Sequence, residues 1–152
     1  LIKGKMKEEK ALLAGEMSGH IFFADRYFGY DDAIYAAARL LEIVAAGDES
    51  LDELLADVPQ TFNTPEIRVD CPDSLKFKVV EEVTKMLRSG HDVIDIDGVR
   101  VRFDDGWGLV RASNTQPVLV MRFEASSKER LDAIRSMMES VVRDAVKAVE
   151  AA

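Results

Sequence analysis

A chain of 152 residues with 47% hydrophobic side chains can bury one core or two small ones. No run approaches the roughly 20 apolar residues of a membrane span, and the charged opening LIKGKMKEEK lacks the apolar centre of a secretion signal. A net charge of −8 argues against a broad basic surface, so neither nucleic acid nor a membrane is expected as a partner.

In chain order, residues 2–10 read as the end of a helix. The chain opens on Leu1 and this helix has no evident cap, so a piece of a longer polypeptide is expected. ALLAG at 11–15 reads as a short buried strand running into GEMSGH. After IFFADRYFGY, Asp31 or Asp32 is placed to cap a helix whose apolar positions Ile34, Ala37, Leu41 and Val44 follow the helical period and which stops at Gly47. Ser50 and Glu53 form a capping-box pattern before LDELLAD. PQTFNTPE at 59–66 carries two prolines among polar turn formers and is the expected linker or hinge, so the chain divides into 1–58, 59–66 and 67–152.

The second part reads as a complete unit. EIRVD is a strand, and its neighbour Cys71 is a single cysteine that suits a reducing cytoplasm and reads as a core residue. Pro72 and Asp73 open a helix with Val79, Val80, Val83 and Leu87 on one face, ended by Gly90. Asp97-Gly98 between alternating runs marks a hairpin, DDGWG a second turn, and RASNTQP the connection between the last two strands. Ser126 and Glu129 are placed to cap a final helix with Leu131, Ile134, Met138, Val141, Ala145 and Val149 on its buried stripe. The expected class is α+β: a partial α/β domain, then an antiparallel sheet in the order β-α-β-β-β-β-α with helices packed on one face.

Two polar islands stand out. Arg111, Ser113, Asn114 and Thr115 lie within five residues, a set of hydroxyls, amide and planar guanidinium that can surround phosphate oxygens. A polar hairpin turn explains the same composition, with Asn114 accepting a left-handed conformation; Arg122 on the following strand reads as a sheet-face charge. GEMSGH sets Glu16 and Ser18 between two glycines with His20 behind them, a way to hold sugar hydroxyls but no metal-ligand set. Residues 1–58 hold 12 acidic against 6 basic side chains and the remainder 16 against 14, so any anion site must rest on local donors.

GEMSGH followed by IFFADRYFGYDDAIYAAARLLE, with RASNTQP about 90 residues later, resembles the α-D-phosphohexomutases, nearest to their phosphomannomutase/phosphoglucomutase branch. The resemblance spans the whole chain. It implies the end of a third domain plus a fourth domain, with Glu16 and Ser18 on the sugar 3- and 4-hydroxyls, His20 supporting them, and Arg111, Ser113, Asn114 and Thr115 on the phosphate that is not transferred. It implies an enzyme of the cytoplasm acting on phosphosugars, with a phosphoserine, Mg²⁺ and a hexose 1,6-bisphosphate intermediate. The family's serine loop, similar to T-A-S-H-N-P, and its D-G-D-G-D-R magnesium loop do not occur here, so no catalytic or metal residue is expected in this chain, and its partners would include the remaining domains of its parent. By itself the chain is expected to be inactive. Phosphoglucosamine mutase, whose loops look more like G-E-Q-S-G-H and R-x-S-G-T-E-P, is the alternative that Met17, Asn114 and Gln116 argue against; a non-enzymatic phosphate- or sugar-binding module, or a docking module, is the other.

Overall fold

The computed structural model describes residues 2–16 and 18–151. Leu1, Ala152 and Met17, one of the residues set against the glucosamine alternative, lie outside them. The chain divides into two compact units between Val58 and Pro59.

The first unit holds helix α1 (Ile2–Glu9), strands β1 (Leu13–Gly15) and β2 (Ile21–Phe23), helix α2 (Ala33–Ala46) and a 3₁₀ turn at Glu53–Leu55. β1 and β2 pair antiparallel, Leu13 opposite Phe23 and Gly15 opposite Ile21. The sequence marks β1 but not β2, whose three apolar residues are too few for a period to register. β1 is not buried as expected, since Leu12 and Leu13 are exposed; among the described residues of this unit Met6 and Phe22 are the buried ones. Asp32, not Asp31, caps α2, accepting the N–H groups of Ile34 at 3.0 Å and Tyr35 at 2.9 Å. The stripe Ile34, Ala37, Leu41 and Val44 stays exposed, because the described residues of this unit supply no layer to cover it. The capping box forms as read: Glu53 Oε2 accepts the Ser50 N–H at 2.8 Å, and Ser50 Oγ accepts the Glu53 N–H at 3.4 Å.

The second unit is an antiparallel six-stranded sheet with two helices. Its strands are β3 (Phe62–Asn63), β4 (Ile67–Asp70), β5 (Asp92–Ile94), β6 (Val99–Phe103), β7 (Gly106–Ala112) and β8 (Val118–Ala125), ordered β3-β8-β7-β6-β5 with β4 also paired to β8. Helix α3 (Lys76–Arg88) follows β4 and α4 (Lys128–Glu150) follows β8. β3 falls inside the expected linker: Phe62 pairs with Ala125, and Thr64 donates its N–H to the Phe123 carbonyl. The sheet therefore claims the second half of 59–66.

Alternation along the strands sends Val99, Val101, Val110, Leu119, Met121 and Phe123 to one face, where Val79, Val83 and Leu87 of α3 and Leu131, Ile134 and Met138 of α4 cover them. Gly108 lies under α4, and a Cβ there would sit 2.1 Å from Met138 Sδ. The other face carries Arg100, Arg102, Trp107, Arg111 and Arg122, with the Arg100 guanidinium 4.3 Å above the Trp107 ring. Two sequence expectations shift by one residue. Ser127, not Ser126, caps α4 through the Arg130 N–H, and Val142 is the fully buried residue where Val141 was expected. No buried side-chain nitrogen or oxygen lacks a partner among the described residues, and none of their helices is long and apolar enough to cross a membrane.

Candidate functional site

The first candidate loop closes the β1–β2 hairpin. Glu16 donates its N–H to the His20 carbonyl at 2.9 Å, and Gly19 donates to the Glu16 carbonyl at 3.0 Å, so Glu16 and residues 18–20 belong to a tight, exposed turn. Within it Ser18 Oγ donates to Glu16 Oε2 at 3.1 Å. Glu16 and Ser18 are thus brought together. His20 is held from elsewhere: its Nδ1 lies 2.5 Å from Asp31 Oδ2, while Asp31 Oδ1 accepts the Ile21 N–H at 3.3 Å. The Asp31 hydrogen bond and charge raise the His20 pKa above its usual 6.5. With Nδ1 taken, Nε2 is the ring nitrogen left for a ligand.

The segment that leads to Asp31 is pinned to α2. Tyr27 stacks on Tyr35 with ring centroids 3.8 Å apart and donates its hydroxyl to Asp32 at 2.5 Å. Arg26 forks onto Glu42 at 3.0 and 2.7 Å, and Arg39 reaches the Asp25 carboxylate at 3.1 Å. The doubled Asp31-Asp32 was the available sequence signal: one carboxylate caps the helix, and the neighbour is left to hold the histidine.

The second candidate loop joins β7 to β8. The ladder ends at Ala112 opposite Leu119, and Ser113 donates its N–H to the Val118 carbonyl at 3.0 Å. Ser113 is buried and turned inward. Its Oγ accepts the N–H groups of Thr115 at 3.3 Å and Gln116 at 3.1 Å, so its lone pairs shape the turn and its hydroxyl hydrogen is what it can offer to an anion. Asn114 and Thr115 are exposed at the tip, and Arg111 lies half-buried at the base. Its Nη1 is 3.8 Å from Asp97 Oδ2.

Two cations that the sequence reading left unassigned hold this loop. Lys76, only 4% exposed at the start of α3, donates from Nζ to the Gln116 carbonyl at 3.1 Å and pairs with Asp73 at 2.6 Å. Arg68 on β4 donates to Gln116 Oε1 at 2.7 Å. Gln116, to which the sequence reading gave no role, is therefore gripped at both backbone and side chain. Spacing carries no signal for this, since Lys76 and Gln116 are 40 residues apart. Arg122 donates to Glu66 at 3.3 Å, which keeps it among the sheet-face charges. Cys71 is buried, and burial pushes its thiol pKa up, as befits a core residue and not a nucleophile.

Comparison with known proteins covers both units. Residues 66–141 match the family model for the phosphoglucomutase/phosphomannomutase C-terminal domain, and residues 1–62 match that for its alpha/beta/alpha domain III. A phosphomannomutase/phosphoglucomutase of Pseudomonas aeruginosa is 48% identical over 151 residues, covering 99% of this chain and 32% of that protein. A phosphoglucomutase of Neisseria gonorrhoeae is 46% identical, over 93% of this chain and 31% of that protein. A probable phosphoglucosamine mutase of Methanopyrus kandleri is 37% identical, over 97% of this chain and 32% of that protein. A solved structure of a phosphoglucomutase/phosphomannomutase family protein from Burkholderia thailandensis superposes with a TM-score of 0.78 at 41% identity, over 99% of this chain and 31% of its own. The chain thus spans about a third of the length of the relatives it matches.

Proposed function

Because this chain belongs to the phosphoglucomutase/phosphomannomutase family, we propose that it supplies substrate-binding residues to an enzyme interconverting hexose 1-phosphates and hexose 6-phosphates. The 113–117 turn carries this reading: it is wound around Ser113, held from below by buried Lys76, and has Arg111 at its base. Such a loop presents the Arg111 fork, the Ser113 and Thr115 hydroxyls and the Asn114 amide to a phosphate. The 16–20 turn is proposed to take sugar hydroxyls: the Glu16 carboxylate accepts from vicinal OH groups, Ser18 steadies it, and His20 donates from Nε2. Glucose and mannose differ at C2, so residues that read the 3- and 4-hydroxyls accept both sugars.

Phosphoryl transfer is mostly positioning and electrostatics, and positioning is what these residues provide. Among the described residues no three His, Cys, Asp or Glu side chains come together as metal ligands. The Mg²⁺ and the phosphoserine that the family resemblance implies are proposed to lie outside them, as is the hexose 1,6-bisphosphate turnover they serve. A hinge between the units is proposed at 59–61, where the chain divides and ahead of the residues claimed by the sheet. A cytoplasmic location suits the single buried thiol.

In the full-length enzyme, Arg111→Ala should cost about 2–4 kcal/mol of transition-state stabilisation, the scale for removing one partner of a charged contact. Steady-state kcat/KM for glucose 1-phosphate and mannose 1-phosphate measures it. An unchanged kcat/KM removes the phosphate role, and phosphosugar binding without turnover by the wild type points to a non-enzymatic module.

A further inference from the structure

Resting on the reading of Arg111 as a phosphate ligand, we propose that the Asp97-Gly98 turn between β5 and β6 is the positioning element of that arginine. Arg111 needs one. Its side chain has a long rotatable stem with about 2 kcal/mol of rotamer entropy, and a guanidinium grips phosphate bidentately only when its plane is correctly aimed.

The turn is built flush against the base of Arg111. Gly98 has φ +83, a conformation that favours glycine. A Cβ there would lie 2.4 Å from the Val110 carbonyl oxygen, 2.5 Å from Arg111 Cβ and 2.8 Å from Arg111 Cα. Two of these are backbone atoms locked in the β6–β7 ladder, where Val99 pairs with Val110, so they cannot give way. Only glycine lets the turn pass this close. Asp95, just before the turn, pairs with Arg88 at the end of α3. The backbone that carries the neighbouring carboxylate therefore has a set place relative to Arg111.

Asp97 is that carboxylate. Its Oδ2 stands 3.8 Å from Arg111 Nη1, within ion-pair range but too far for a hydrogen bond. The charge biases where the guanidinium points while leaving its N–H donors uncommitted. A closed bidentate pair would instead have to be broken before phosphate could bind. Asp97 thus acts through Arg111 and touches no substrate.

The test is a double-mutant cycle on glucose 1-phosphate binding by the full-length enzyme, read by isothermal titration calorimetry, with thermal melts as a check on folding. Asp97→Asn keeps the side-chain shape and the turn chemistry but removes the charge. It should weaken binding about threefold, the scale of a half-exposed ion pair. Asp97→Glu should recover most of that loss, and in an Arg111→Ala background Asp97→Asn should change nothing further. Unchanged or tighter binding by Asp97→Asn, with Arg111→Ala still impaired, overturns the positioning role and leaves the phosphate role standing. An equal loss from Asp97→Asn in both backgrounds overturns it too. Wild-type affinity in Arg111→Ala would remove the phosphate role and this inference with it.

Discussion

His20 is exposed, yet its environment is specific: Asp31 sits 2.5 Å from Nδ1 and keeps the ring protonated to higher pH than an ordinary histidine. The charged pair is complete below the usual histidine value of 6.5 and is lost as pH rises through the raised folded-state value. Its contribution to holding the 16–20 turn therefore fades on the alkaline side. Asp31→Asn should move the His20 titration midpoint back down, followed by NMR of the imidazole protons; an unmoved midpoint would show that Asp31 does not set it. At this scale the sequence is informative about donors and mute about their orientation. Glu16, Ser18 and Arg111 stand out by residue type, but that Ser113 points inward to wind its own turn is not visible in the letters RASNTQP. Lys76, Arg68 and Gln116 were missed for a related reason: their contacts join residues 40 and 48 positions apart.

Among elements, those with a long period and a covered face were the most legible. α3 and α4 appear where their stripes of Val79, Val83, Leu87 and Leu131, Ile134, Met138 require, because both helices bury those stripes on the sheet. The capping serine of α4 was misplaced by one, since adjacent Ser126 and Ser127 offer equal chemistry and only backbone geometry chooses. β2 and β3 went unread, three and two residues long. The closeness of α4 to β7 carries its own prediction. Gly108 has no room for a side chain, with Met138 Sδ 2.1 Å and Phe123 Cδ1 3.0 Å from a would-be Cβ. Gly108→Ala should destabilise the second unit by about 1–3 kcal/mol through overpacking. At about 4–8 °C of Tm per kcal/mol for a unit of this size, calorimetry resolves that; an unchanged Tm would mean α4 does not lie this close to β7.

For the whole molecule, the two units differ in how far their own residues account for them. The second has a continuous core under both helices, which is why its class and the succession of its elements from β4 onward could be read from alternation and turns, though not β3 or the order in which the strands pair. The first leaves Ile34 and Leu41 exposed on α2, and the chain spans about a third of the length of its relatives. Periodicity located that helix but could not tell whether its apolar face would be covered. Whether the 111–115 segment binds substrate phosphate is decided by a crystal structure of the full-length enzyme with hexose 1,6-bisphosphate. One phosphate is expected within hydrogen-bond distance of the Arg111 guanidinium and of donors at Ser113, Asn114 and Thr115; a bound ligand with neither phosphate near these residues rules this binding role out.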